Sequence, residues 1–321
     1  KANKLSSLIC CKSLELPYHT FFAVVLLLYS KGKRLLIFKN ISGTVIVEHL
    51  PEITMIGINR PEKRNCVNTS TAVALLQAFQ DFDKDDSAKV AVLYGVGGNF
   101  CAGFDLEELS EKPPETLSSS DRGPMGPTHY ETKKPVIAAV EGFAVAGGLE
   151  LALWCDLRVV EDTAVMGVFC RRFGVPLIDG GTVRLPAIVG LGRALDLILT
   201  GRAIKGKEAL EWGLANRLVA CGTAVGQAVN LAQSLVKFPQ ECMLADRASA
   251  LHATFSAKSL QESLQFESEN GIPIILKVIF SMKGITKAAK KIGFLRGFMF
   301  IEFNPANQGE LPNHERVERH Y

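Results

Sequence analysis

The chain has 321 residues, 47% of them hydrophobic, and a formal net charge of +3 from 36 Lys and Arg against 33 Asp and Glu. That length can bury a full core, which favours one large domain with appendages. The near balance of charge gives no general case for nucleic-acid or membrane binding, although a local cluster of Lys or Arg would still suit a phosphate. The 8 cysteines show no zinc-type spacing and several lie in apolar runs, so they read as small core residues in a reducing compartment, with no metal site expected.

In chain order, Lys1 to Leu14 is basic, with no acid before Glu15, and an apolar run from Phe21 to Tyr29 precedes Lys31, Lys33 and Arg34. The run is shorter than the roughly 20 residues that span a bilayer. No small-residue cleavage site follows, and the segment carries Lys where a transit peptide is Arg-rich. Residues 1–41 are therefore expected outside the fold, as a targeting segment or a gene-model error in a chain that starts on Lys1 rather than Met. Thr44–Glu48 and Ile53–Ile58 read as strands joined by a turn at Pro51. Thr69–Asp83 shows helical spacing at Val73, Leu76 and Phe79 behind a Thr or Ser cap. Strand, turn and helix alternate through Val160, which argues a mainly parallel α/β sheet with crossovers. Residues 110–130, with four prolines and Ser118 to Ser120, read as a mobile loop able to cover a substrate. Past Gly190 the pattern turns helical at Arg193–Leu199, Lys205–Trp212, Ala224–Val236 and Glu241–His252. The expected division is a core at 42–190, a helical region at 191–276 and an uncertain tail at 277–321.

Two segments carry chemistry. Pro135–Val140 reads as a strand leading to Ala146-Gly147-Gly148-Leu149-Glu150-Leu151-Ala152-Leu153, a glycine turn followed by a helix apolar on every face. Gly147 and Gly148 allow a tight bend and close ligand approach to free N–H groups. Glu150 then falls in the first turn, either answering the helix dipole or serving as a catalytic base. The second segment, Asn99-Phe100-Cys101-Ala102-Gly103-Phe104-Asp105-Leu106, follows the apolar run Lys89–Tyr94 and repeats the strand, glycine turn and helix start. Two such turns can bring two backbone N–H groups to one oxygen, an oxyanion hole.

At these residues the chain resembles the crotonase, or enoyl-CoA hydratase/isomerase, superfamily. Phe100 to Asp105 is similar to its F-x-A-G-x-D element. Lys134 to Ala152 is similar to its K-P-V-I-A-A-V-x-G-x-A-x-G-G-G-x-E-L-A element, with Ala146 where the first of three glycines is usual. The resemblance runs from about Val45 to about Gly271. It implies a spiral of ββα units with a C-terminal helical region that serves trimer contacts and closes the CoA site. It also implies an acyl-CoA thioester substrate held by the amides of Phe104 and Gly147, with Glu150 as general acid/base. Substrate contacts are expected from Ala102, Gly103, Asp105, Gly148 and Cys170. Lys63 and Arg64 stand where basic residues meet the nucleotide phosphates, or form an ordinary solvated turn, and Asn68 is similarly open. No cofactor is expected, because coenzyme A is part of the substrate. A homotrimer or dimer of trimers in the mitochondrial matrix, or alternatively the cytoplasm, follows from the same resemblance.

The chain departs from the family at its second glutamate, expected a few residues after Gly167. Cys170 occupies that position, and a thiol with an ordinary pKa near 8.5 cannot simply replace a carboxylate. Cys170 reads as a packed cysteine, or as a thiol activated by Arg171 and Arg172. Asp179 is the nearest acid along the chain: a second catalytic acid, a partner for Arg171 or Arg172, or an N-cap for a helix starting at Thr182. The leading expectation is hydration or dehydration of an enoyl-CoA. Behind it stand an isomerase or decarboxylase on the same hole, and a catalytically weak CoA- or RNA-binding homologue, against which charge and Glu150 both weigh.

Overall fold

The computed structural model describes residues 23–30, 33–40, 43–111 and 122–280. Eight of its strands form one twisted sheet. β1 (Ala23–Ser30), β2 (Lys33–Asn40), β3 (Val45–Leu50) and β4 (Ile53–Ile58) run antiparallel to one another in sequence order. From β4 the sheet continues in parallel through β5 (Val90–Gly95), β6 (Val136–Val140), β8 (Leu157–Glu161) and β11 (Arg217–Val219). A smaller sheet joins β7 (Phe143–Val145), β9 (Val165–Gly167) and β10 (Ile204–Lys205). The alternation of elements implied a mainly parallel α/β sheet; the sheet is parallel from β4 to β11 and antiparallel from β1 to β4.

The central strands are buried on both faces, which explains their near-continuous apolar runs. Successive side chains point to opposite sides: Ile53, Met55, Val90, Val92, Ile137 and Ala139 face one core, and Ile56, Ile58, Ala91, Leu93, Ala138 and Val140 the other. The first core is closed by α7 (Ala224–Val236), whose Ala224, Ala228 and Ala232 recur every fourth residue and lie flat on the sheet. The second receives α1 (Thr69–Lys84), α3 (Gly147–Trp154), α4 (Gly181–Val189), α5 (Leu191–Thr200) and α6 (Gly206–Glu211). Outside the cores lie the short α2 (Leu106–Glu111) and the antiparallel pair α8 (Gln240–Phe255) and α9 (Leu260–Phe280). Arg247 of α8 pairs with Asp156 at 2.8 Å and ties this pair to the body of the fold.

Four expectations change. Residues 23–30 and 33–40 form a hairpin that pairs with β3, so this part of 1–41 extends the sheet and covers what would otherwise be an open edge. Helix α1 buries Ala72, Leu75, Phe79 and Phe82 and exposes Val73, since helical spacing fixes a period without fixing its phase. The α1 cap is Asn68, whose side chain accepts from the Thr71 N–H at 2.9 Å, which accounts for that residue without a ligand. Helix α9 carries the helical region to Phe280, just past the boundary expected at 276. The Pro- and Ser-rich stretch over 112–121, residues 1–22 and the tail from 281 lie outside the described residues.

Candidate active site

The first glycine turn follows β5. Asn99–Phe104 runs beside the end of β7 through a bridge between Cys101 and Ala144, then meets Val67 at Phe104. In that second bridge Gly103 accepts from Val67 and Asp105 donates to Val67, both at 2.8 Å. Alternate N–H groups of an extended segment point opposite ways, so the Phe104 N–H faces away from Val67. No described residue accepts from it. Gly103 permits this turn at φ 102 and packs so closely that a Cβ there would lie 3.2 Å from the Gly147 nitrogen. The two glycine turns are therefore in direct contact.

The second turn leaves β7 at Ala146, which adopts φ 53 in the place where the family motif carries glycine. A non-glycine residue held there costs on the order of 1–3 kcal/mol. The Ala146 N–H donates to Gly167 and its carbonyl accepts from Leu149 and Glu150, fixing the start of α3. Gly147 is the first helical residue, so its N–H has no partner within the helix, and no described residue outside the helix accepts from it.

Phe104, Gly147 and Glu150 line one cavity of about 500 Å³ with Ala102, Cys170 and Asp179. Glu150 is only 3% exposed. Its Oε1 accepts from the backbone N–H groups of Asp179, at 2.9 Å, and Gly181, at 2.8 Å, and no described residue donates to Oε2. Burial, reinforced by the nearby Asp179 carboxylate, pushes Glu150 up to about 7. Asp179 repeats the arrangement: its Oδ1 accepts from the Met125 N–H at 3.0 Å and from the Thr128 hydroxyl, while no described residue donates to Oδ2. Burial raises its pKa as well, opposed by those two donors. Each carboxylate is anchored through one oxygen and leaves the other available, a workable arrangement for proton transfer.

Cys170 lies on the same wall, buried, and burial followed by the Glu150 charge pushes its thiol up. Both causes act against a thiolate and so weigh against the activated-thiol reading. Among the described residues Arg171 and Arg172 pair with no acid: they donate to the carbonyls of Ile198 and Gly201 at the end of α5, and Arg172 also stacks on Phe169. Asp179 is not a helix cap either, since α4 starts from Gly180 without a side-chain cap. Gly103, Asp105 and Gly148, expected to touch substrate, do not line the cavity. Gly148 must be glycine because a Cβ would collide with the Cys101 carbonyl. Asp105 forms a buried pair with Arg60 at 2.7 Å and a longer one with Lys63 at 3.4 Å. Burial alone would raise the Asp105 carboxyl, but the Arg60 bond and charge, with Lys63, hold it below the ordinary range. Lys63 and Arg64 sit at the cavity mouth, Lys63 bonded to Glu107 and Arg64 packed on Phe143 with its charge exposed.

Met125, Thr128 and Arg184 escaped the sequence reading. The first two reach Asp179 across 54 and 51 residues, a distance no local pattern spans. Among the described residues no group of His, Cys, Asp and Glu could hold a metal ion, and no helix is long and apolar enough to cross a membrane.

Two backbone N–H groups without a described acceptor line one cavity with two buried carboxylates in a two-sheet α/β fold, the components from which an enzyme can build an oxyanion site beside a proton-transfer group. Residues 49–287 match the model of the enoyl-CoA hydratase/isomerase family, and the chain belongs to that family. It is 36% identical over 197 residues to enoyl-CoA hydratase EchA19 of Mycobacterium tuberculosis, covering 59% of this chain and 73% of that protein. It is 40% identical over 192 residues to the mitochondrial enoyl-CoA hydratase domain-containing protein 2 of Mus musculus, covering 57% and 64% respectively. The crystal structure of enoyl-CoA hydratase EchA1 from Mycobacterium marinum superposes with a TM-score of 0.72 at 32% identity, over 78% of this chain and 97% of that one. The protein is an acyl-CoA thioester enzyme of the hydratase-like type.

Proposed function

We propose that the protein adds water reversibly across the double bond of a 2-enoyl-CoA thioester, with Glu150 and Asp179 as its two proton-transfer groups. One observation carries this reading: two buried carboxylates, each with one oxygen that no described residue donates to, share a cavity with the amides of Phe104 and Gly147, which have no acceptor among the described residues. The thioester oxygen accepts from both amides. Water attacks the β-carbon and its proton passes to Asp179. The displaced electron pair becomes an enolate whose charge settles on the thioester oxygen, where each donor contributes about 3–4 kcal/mol. Glu150 delivers a proton to the α-carbon, and exchange with solvent resets both carboxyls. A group with a pKa of about 7 holds and releases a proton with equal ease at neutral pH, which suits both directions of the reaction.

Lys63 and Arg64 at the cavity mouth are the proposed contacts for the CoA phosphates, and coenzyme A arrives as part of the substrate, so no separate cofactor takes part. A homotrimer is supported by the exposed apolar side chains Val183, Leu191, Leu195 and Leu199 on neighbouring α4 and α5. The mitochondrial matrix is the proposed location, supported by the mitochondrial proteins of mouse and human among the relatives. Crotonyl-CoA turned over in ¹⁸O-labelled water tests the reaction. The expected product is 3-hydroxyacyl-CoA with label at the β-carbon; turnover only of 3-enoyl, dienoyl or malonyl-type thioesters, without label, would replace hydration by isomerisation or decarboxylation on the same hole.

A further inference from the structure

We propose that Arg184 is the positioning residue of this site, one guanidinium that fixes both carboxylates by tying together the backbone segments that hold them. The inference rests on the reading of Glu150 and Asp179 as proton-transfer groups. Arg184, half-buried on α4, donates to the Asp179 carbonyl at 3.0 Å and to the Thr128 carbonyl at 2.7 Å. Each of those residues grips a carboxylate in turn. The Thr128 hydroxyl donates to Asp179 Oδ1, and the Asp179 N–H donates to Glu150 Oε1 at 2.9 Å. A single planar fork therefore sets the relative placement of both proton-transfer groups, a task the compact ammonium of lysine cannot reproduce.

The direction of approach also matters. Asp179 faces the substrate cavity, whereas Arg184 lines a second cavity of about 830 Å³ behind it, together with Thr128 and Gly180. Arg184 therefore acts from the side away from substrate and touches no reacting atom. Both of its bonds go to neutral carbonyls, so neither carboxylate is locked as an ion pair. A direct guanidinium bond would hold a carboxylate ionised and spoil it as a proton donor. Placed one bond away, the cation instead moderates the effect of burial. Among the described residues, the charged and titratable groups facing Glu150 are Asp179, Arg184 and Cys170; those facing Asp179 are Glu150, His129, Arg184 and the buried Cys101. Arg184 is the cation common to both lists.

The test uses Arg184→Lys, Arg184→Gln and Arg184→Ala in the full chain, with Glu150→Gln as control. Loss of the cation should move the Glu150 midpoint upward, and loss of the fork should lower kcat at least about tenfold while KM for the thioester stays within about threefold. Arg184→Lys keeps charge without geometry, so kcat should fall with the midpoint nearly unchanged. The second cavity gives a small cation access, so about 50 mM guanidinium, far below denaturing levels, should partly restore Arg184→Ala and leave Arg184→Gln unchanged. Isotope-edited infrared titration of the Glu150 carboxyl, identified as the band missing from Glu150→Gln, reads the midpoint without substrate and decides the matter if a variant turns over too slowly to assay. If any one variant fails to fold, the other two carry the comparison. An unchanged midpoint in Arg184→Gln, or kcat within about twofold of wild type in all three variants, overturns the inference. Survival of activity in Glu150→Gln instead overturns the parent reading, so the two failures are distinct.

Discussion

Replacing Glu150 with Gln should make the protein more stable at alkaline pH while making it inactive. The substitution keeps the side chain's length and an oxygen to accept from the Asp179 and Gly181 N–H groups, and removes only the ionisation. Burial raises the Glu150 carboxyl from an ordinary 4.5 to about 7. A carboxyl with a raised folded-state pKa favours the fold fully below its unfolded value and loses that advantage as pH climbs through the folded one. The window therefore lies between 4.5 and about 7. At about 1.4 kcal/mol for each tenfold change in proton affinity, the ionised carboxylate costs the native state about 3 kcal/mol above that window. Glutamine carries no such cost. Urea denaturation at fixed subunit concentration, which holds any association constant, should show Glu150→Gln more stable than wild type by about 2–3 kcal/mol near pH 8 and nearly equal near pH 4. A gain independent of pH, or no gain near pH 8, would refute the assignment of a buried, ionisable and strained acid at this position.

Asp179→Asn should lower kcat by about 10²–10⁴, whereas Cys170→Ser should stay within about fivefold of wild type because a buried neutral thiol takes no proton; steady-state kinetics on the preferred thioester separates them. Gly148→Ala should prevent folding, since its methyl meets the Cys101 backbone, while Gly147→Ala should fold with slowed turnover, since its methyl meets the Met125 side chain, Sδ at 2.5 Å and Cγ at 2.8 Å, rather than backbone; circular dichroism and kcat report the two outcomes. Lys63→Ala with Arg64→Ala should raise KM for CoA thioesters about tenfold at unchanged kcat, and equal KM would remove these residues from phosphate contact.

How far the sequence could be read depended on whether the contacts were local. Glu150, Gly147 and Phe104 were legible because each sits in a strand, glycine turn and helix written in consecutive residues. The environment of Asp179 was not legible, because Met125 and Thr128 hold it from a segment more than 50 residues earlier. Charge alone offers Arg171 or Arg172 as a partner for Asp179; the open carbonyls at the end of α5 claim both instead, as the last turn of a helix attracts cations. Asp105 and Gly148 were read as substrate contacts because they share a motif with residues that do line the cavity. Their burial against Arg60 and Cys101 shows that a motif also records the packing its turn requires. The apolar run near the N terminus was short enough for either a targeting segment or an edge strand, and pairing with β3 is a tertiary fact.

The central claim, that Glu150 moves protons beside a hole formed by Phe104 and Gly147, is tested most directly by single-turnover kinetics on a 2-enoyl-CoA thioester with wild type and Glu150→Gln, alongside the affinity of each for that thioester. Turnover should fall by about 10²–10⁴ with affinity within a few-fold, since the amides and the cavity shape remain. Activity within about tenfold of wild type would contradict the claim, because a general acid/base typically contributes about 10²–10⁴.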